Sequence, residues 1–416
     1  MKKGKRRLLL NAVILVAVLG LVAAACSSDD TSDTTTTTAA ATTTAAETTT
    51  TAAATTTAAA ETTTTEEMTA VVCEATIGLI APITGPVAFI GEVQRNWAQY
   101  AVDVWNEGMG WDVKLIEGDN QFDIAQSATV AAQFIDNTDI LAVVGPAGSD
   151  QVDAAGAVFD AGDPNLTFIS PSSTRIGIAE KYTGMLRTVP TDADQGPSTA
   201  AFFVESGATK IFVVDDQSSY STGLADVAIA ALEAAGVEVS RESVSQDVTD
   251  FSALVATIAD DTDWVYLPWQ VAANGQIFGN QMAEQGKNMP IFGSDGMDSG
   301  DFTIAGSIIA AFAGDIAGIP ESVPLLEGFL AQYPETNTFG PPVFAAVTTE
   351  LEAIDALCQS GNELTRENVL GAIKAINRPA SILGQPISFA PSGDLIGGRF
   401  FFFEIQEDGT KTPVGG

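Results

Sequence analysis

The chain has 416 residues, with 53 Asp plus Glu against 18 Lys plus Arg, three cysteines and no histidine. Without an imidazole there is no Ser-His-Asp or Cys-His dyad, no zinc site with His ligands and no His general base. A formal charge of -35 repels phosphate and leaves no basic stripe for counterion release, which argues against nucleic acid as a partner.

Residues 1–25 have the layout of a secretory signal, with five basic residues, an apolar run and three alanines before Cys26. The alternative is a retained helix, because the run is at the short edge of a membrane span. Cys26 after small residues resembles a bacterial lipobox, with Ala23 where Leu is usual. This predicts cleavage, acylation of Cys26 and an extracytoplasmic, lipid-anchored protein. Cleavage leaves 13 basic against 53 acidic residues, a charge of -40.

Residues 26–69 follow as anchor and tether. From Thr31 to Glu67 there are 20 Thr and 11 Ala in 37 residues and no large apolar side chain, so no core can form. Two further cysteines, Cys73 and Cys358, make an even pair in an exported chain and predict a disulfide, with two separate buried thiols as the alternative. A bridge across so long a loop is worth at most roughly 5 to 6 kcal/mol in the chain-entropy description.

Residues 70–416 exceed the size at which one core keeps growing, so two lobes are expected. Apolar runs at Thr76–Ala81, Val113–Glu117, Ile140–Gly145 and Leu166–Ser170 read as strands. So do those at Lys210–Asp215, Val237–Val244, Trp264–Leu267 and Pro290–Phe292. Stretches of helical spacing intervene. Ile124–Asp136 places Ile124, Ala128, Ala131 and Ile135 on one face, and further helices are predicted near 150–160, 222–235, 251–260 and 272–286. Continuous rather than alternating apolar strands imply sheets covered on both faces, hence an α/β fold with one parallel sheet per lobe.

In open parallel sheets ligands sit beyond the carboxyl ends of strands. The loops there read PAGSDQ, SPSSTR and GSDGMD. Ser149 stands as N-cap of the helix expected from Asp150, and its hydroxyl and nearby N–H groups suit a carboxylate, although capping alone explains it. Ser172, Ser173 and Thr174 supply hydroxyls in a second loop, which an ordinary turn also accounts for. Asp295 is a cation partner or simply part of an Asp-Gly turn. Together the three loops fit the two charges of an α-amino acid, gripped as two lobes close.

The run IGLIAPITGPVAFIGEVQRNWAQYAVDVWNE, the segments VVGPAGSD and ISPSST, and LRTVPTDADQGP and DDQSSYSTGLADV resemble the substrate-binding proteins of branched-chain amino acid ABC transporters, over residues 74–410. The resemblance implies a type I periplasmic-binding-protein fold of two Rossmann-like lobes joined by three crossovers, near 188–192, 315–318 and 385–389. Lobe 1 is then residues 70–189 with 318–386, and lobe 2 residues 190–317 with 387–416. It also implies that Ser149 and Thr174 hold the ligand carboxylate beside the Ser172 backbone, that Asp295 takes the ammonium, and that Tyr220 lines the cleft. Asp295 is one methylene shorter than the usual Glu and needs a closer ligand or a water. Gln270 stands where a cleft tyrosine is common, with Trp269 adjacent, and Ile90 offers apolar contact. Asp150, next to Ser149, weakens an anion site unless it points away.

The resulting expectation is a monomeric solute-binding lipoprotein, not an enzyme and without cofactor. It captures a small amino acid or related amide for an ABC permease and its ATPase. The chain has no GxxxxGK[ST] loop, so ATP hydrolysis falls to a partner. The rival reading is a module that reports a ligand to a membrane receptor. Asp119, Asp123, Asp298 and Asp301 lack the spacing of a calcium loop.

Overall fold

A computed structural model describes residues 72–414. The expected signal peptide, the lipidation of Cys26 and the tether lie outside the described residues.

The first sheet is built from β1 (Glu74–Ala81), β2 (Asp112–Asp119), β3 (Ile140–Val144), β4 (Thr167–Ser170) and β5 (Met185–Arg187). Its strands are parallel in the order β2-β1-β3-β4-β5. Helices α1 (Ala88–Met109), α2 (Ile124–Asp136) and α3 (Ser149–Asp160) connect them. The face of α2 differs from expectation: Ser127, Val130, Ala131 and Phe134 are buried, while Ile124 is 54% exposed. Phe134 decides the rotation, because its ring packs over Gly78 and Gly118, where strand backbone leaves room for it.

The chain then passes through residues 188–191 into a second layer. In order come α4 (Asp192–Glu205), β6 (Lys210–Asp215), α5 (Ser219–Ala234), β7 (Glu238–Ser243), α6 (Ser252–Val255), β8 (Trp264–Leu267), α7 (Ala272–Glu284), β9 (Ile291–Gly293) and β10 (Ile308–Ala311). The chain next returns to the first lobe with α8 (Val323–Leu330), α9 (Pro341–Gln359) and α10 (Arg366–Lys374), followed by the small pair β11 (Asn377–Arg378) and β12 (Ile387–Ser388). Finally β13 (Phe401–Ile405) and β14 (Lys411–Pro413) join the second sheet.

The second sheet runs β14-β13-β10-β9-β8-β6-β7. Its β6 to β10 are parallel, but β13 and β14 add an antiparallel edge. The all-parallel expectation therefore holds for the first sheet and fails at this edge. Phe312, Ile316, Ile387 and Leu395 pack in the first lobe's core. The chain therefore packs in the first core again by Phe312, near the crossover expected at 315–318, and still does so at Leu395, a few residues beyond the one expected at 385–389. A Cys73–Cys358 disulfide, with Cα atoms 6.3 Å apart, ties the entry of β1 to α9 across 285 residues of sequence.

Candidate functional site

The loops after β3 and β4 are stitched together before any ligand is considered. Gly145 has φ +102°, and a Cβ there would stand 1.9 Å from the Ile80 carbonyl oxygen, so only glycine lets the PAGSDQ loop turn against β1. Ser170 Oγ donates to Pro146 O at 2.7 Å, and Ser172 Oγ donates to Ala147 O at 3.1 Å while accepting from Gln94 Nε2 at 3.0 Å. Ser149 is not the N-cap: Gly148 occupies that position, and Ser149 Oγ lies 3.0 Å from Ser173 Oγ. The hydroxyl therefore serves the loop pair rather than the helix end. Thr174 Oγ1 is buried with no hydrogen-bond partner.

From the second lobe, Asp295 follows β9 and is buried. Its Oδ1 accepts from Tyr220 OH at 2.6 Å and from Gln195 Nε2. Burial pushes its carboxyl well above the usual range, and the nearby Asp192 carboxylate pushes it further; the Tyr220 hydroxyl pulls the other way. Asp192, at the start of α4, is raised by burial to about 7 against the pull of Thr174, Arg187 and Arg175. Thr174 stands close enough for that pull but outside hydrogen-bond geometry, and neither Asp192 oxygen has a partner.

Both sets of loops face one cavity. It is lined by Ile90, Phe122, Ala147, Gly148, Ser172 and Phe339 from the first lobe and by Tyr220, Gln270, Asp295 and Gly296 from the second. Of the expected residues, Ile90, Ser172, Tyr220, Gln270 and Asp295 line it, while Ser149, Ser173 and Thr174 are buried and do not. Trp269 does not. Its ring packs on Phe251 and Phe278 in the second core and its Nε1 donates to Val214 O at 2.7 Å, so the neighbouring Gln270 alone reaches the cleft from that strand end. Space for a water-sized sphere is only about 20 Å³, room for about one water, so entry of any amino acid requires the lobes to part.

The lobes are also joined outside the cavity. Asp150 turns away from the hydroxyl loops and accepts from Ser219 N, at the start of α5, at 3.2 Å. Arg175 donates to Ser219 Oγ at 2.6 Å and pairs with Asp150 at 3.9 Å and Asp153 at 3.4 Å. The acid that threatened an anion site thus serves as half of an interlobe clasp.

Residues 74–410 match the periplasmic binding protein family. The chain belongs to it. Similar proteins include a Leu/Ile/Val-binding protein of Rhizobium johnstonii, 28% identical over 80% of this chain and 92% of the relative. A leucine-, isoleucine-, valine-, threonine- and alanine-binding protein of Pseudomonas aeruginosa is also 28% identical, over 81% and 91%. Among solved structures, the Streptococcus pneumoniae LivJ complex with isoleucine superposes with a TM-score of 0.75 at 22% identity, covering 82% of this chain and 99% of that one. A solute-binding protein of R. palustris in complex with benzoate gives 0.70 at 17% identity, covering 82% and 96%. These structures share the fold. As members of the family, these relatives are binding proteins, not enzymes, and the chain is an extracytoplasmic binding protein of the type I periplasmic class. The acids without calcium-loop spacing have other work: Asp119 accepts from Thr84 and Gln121, Asp123 caps α2, and Asp298 pairs with Lys411.

Sequence reasoning missed Phe122, Phe339, Asp192 and Gln195. The first two carry no polar signal, and the other two lie in a stretch expected only to follow a crossover near 188–192. Neither α4 itself nor its packing against a loop 100 residues further on was anticipated.

Proposed function

We propose that the protein captures a small amino acid of branched-chain type, or a related amide, in the cleft between its lobes and delivers it to an ABC permease while anchored to the membrane through Cys26. The observation that carries this reading is the opposition across one cavity of Ser172 with its loop backbone on the first lobe and Asp295 with Tyr220 on the second. A carboxylate needs donors of the first kind and an ammonium needs an acceptor of the second. Ile90, Phe122 and Phe339 supply an apolar wall for an aliphatic side chain. The ligands named for the R. johnstonii and P. aeruginosa relatives fit that division. In this reading Ser149, Ser173 and Thr174 complete the carboxylate side once the lobes part, and Cys26 holds the domain beside its permease.

Calorimetry against the twenty amino acids tests the ligand class. Heat with isoleucine, leucine or valine supports it; no heat with any of them overturns it and turns attention to acids such as benzoate. Asp295→Ala is expected to weaken binding at least tenfold, about 1.4 kcal/mol.

A further inference from the structure

The first turn of α4 brings a second carboxylate behind Asp295. Gln195, three residues after Asp192, donates to Asp295 Oδ1, which fixes the Asp192 end of the helix against the same loop. Asp192 is 1% exposed; no hydrogen bond of good geometry reaches either of its oxygens, with the Thr174 hydroxyl close by, and Gln195 Oε1 nearby also lacks a partner. The cations facing the pair are already engaged. Arg187, from β5, faces Asp192 with its charge shared: it is ion-paired with Asp394 at 2.7 Å, its Nη1 donates to the carbonyls of Ser173 and Arg175, and its Nη2 has no hydrogen-bond partner. Arg175 is held in the clasp with Asp150, Asp153 and Ser219. Asp298, on the Asp295 loop, is paired with Lys411. Tyr220 from α5 and Tyr266 from β8 complete the surroundings, and burial together with these two acids holds both phenols neutral.

Two buried carboxylates therefore share a site in which, among the described residues, every facing cation has another acid of its own. Two such groups cannot both stay charged out of water, and the ordinary resolution is to keep a proton between them. We propose that Asp192 and Asp295 hold a shared proton in the closed, ligand-free protein, and that the ammonium of an incoming amino acid displaces it, so that capture releases a proton. Asp192 is then a positioning residue: it never touches the ligand but sets the charge of Asp295. This rests on the reading of Asp295 as the ammonium partner. The balance is simple: the carboxyl O–H proton goes to buffer, the ligand keeps its three N–H bonds, and the ammonium's charge takes the proton's place at the acidic wall while the ligand carboxylate is met by the donors of the first lobe. Burial raises both carboxyls, Asp192 to about 7, which places the exchange near neutral pH.

The test is calorimetry of the whole protein with L-isoleucine at about pH 6.5, in phosphate and in imidazole, whose ionisation heats differ. The expected result is a buffer-dependent heat equal to about one proton released, with Kd falling about tenfold per pH unit below about pH 7. In Asp192→Asn the exchange should move to lower pH, because Asp295 keeps its burial but loses its like-charged neighbour, so proton release at about pH 6.5 and the pH slope there should both shrink, while binding at about pH 8 stays within about threefold of the parent. Equal heats in the two buffers, with Asp295→Asn still weakening binding, overturn the proton exchange and leave the ammonium reading intact. Full proton release by Asp192→Asn overturns the role of Asp192. Binding unaffected by Asp295→Asn, or no binding of isoleucine at any pH, overturns the ammonium reading and this inference with it.

Discussion

The two sides of the cleft are assembled on opposite principles. On the first lobe, the hydroxyls of Ser149, Ser170, Ser172 and Ser173 are tied to one another, to Gln94 and to loop carbonyls before any ligand arrives, and none carries charge. On the second, Asp295 and Asp192 are buried carboxyls with more negative potential than their partners neutralise. A neutral wall whose serine hydroxyls are already bonded can be tuned by geometry alone, and losing one of them removes about one hydrogen bond. A strained acidic wall acts through charge, and under the proposed function its loss leaves the ligand ammonium with nothing opposite.

This contrast orders the expected losses. Asp295→Ala should cost more than Ser172→Ala in a side-by-side titration with isoleucine. The latter deletes a hydroxyl whose loop is also held by Ser170 and should cost about 1 kcal/mol, roughly fivefold. Equal losses would mean that charge does not distinguish the two walls.

The acidic wall should also mark the stability of the ligand-free protein. In the folded state Asp192 titrates at about 7, whereas in the unfolded chain it titrates near the usual carboxylate value. Between those values the folded protein holds a proton that the unfolded chain has released. Stability from this group is therefore full below about pH 4 and is lost as pH rises toward 7, by on the order of 2 to 4 kcal/mol. Asp295 and Glu350, both buried and raised, act in the same direction. Denaturant melts from about pH 5 to 8 should show a falling midpoint, and Asp192→Asn should flatten part of that slope. A midpoint that rises over this range contradicts the burial argument.

Glu350 sharpens the point because it does not line the cleft. It sits on α9 in the first lobe, fully buried, and neither carboxyl oxygen has a hydrogen-bond partner. Replacing it by Leu removes an unsatisfied polar group from an apolar helix face and should stabilise the protein by about 1 to 3 kcal/mol, most clearly at alkaline pH. Destabilisation would reveal a partner for that carboxyl.

These features differ in how far the sequence displays them. Strands buried on both faces announce themselves, and β6 and β8 coincide with their predicted runs. β13 does not, because FFFEI is half-buried along most of its length and joins an antiparallel edge that no local pattern specifies. Polar residues in strand-end loops are legible as a class, which is why Ser172 and Asp295 could be picked out. Whether the next side chain faces cleft or core depends on strand alternation, so Trp269 and Gln270 part company. Asp192 is a third case: an acid at a helix start is favourable locally, and its like-charge neighbour comes only from the meeting of two distant segments.

The smallest effect belongs to the clasp. Asp150, Arg175 and Ser219 join the lobes without touching the cavity, so they bias the closed state rather than the ligand. Their side chains keep some contact with solvent, and such pairs are worth about 0.2 to 1 kcal/mol. Arg175→Ala should therefore raise Kd by about two- to fivefold, mainly through faster dissociation, and salt should reduce the difference. Arg175→Lys should recover part of it, because a lysine can meet Asp150 but cannot donate to Ser219 and Asp153 through one planar fork. A loss as large as that of Asp295→Ala would mean that closure, not the charge of the acidic wall, governs affinity. Arg175 also faces Asp192, so its removal should raise the shared-proton pH as well. A clasp acting on closure alone would leave that pH where it was.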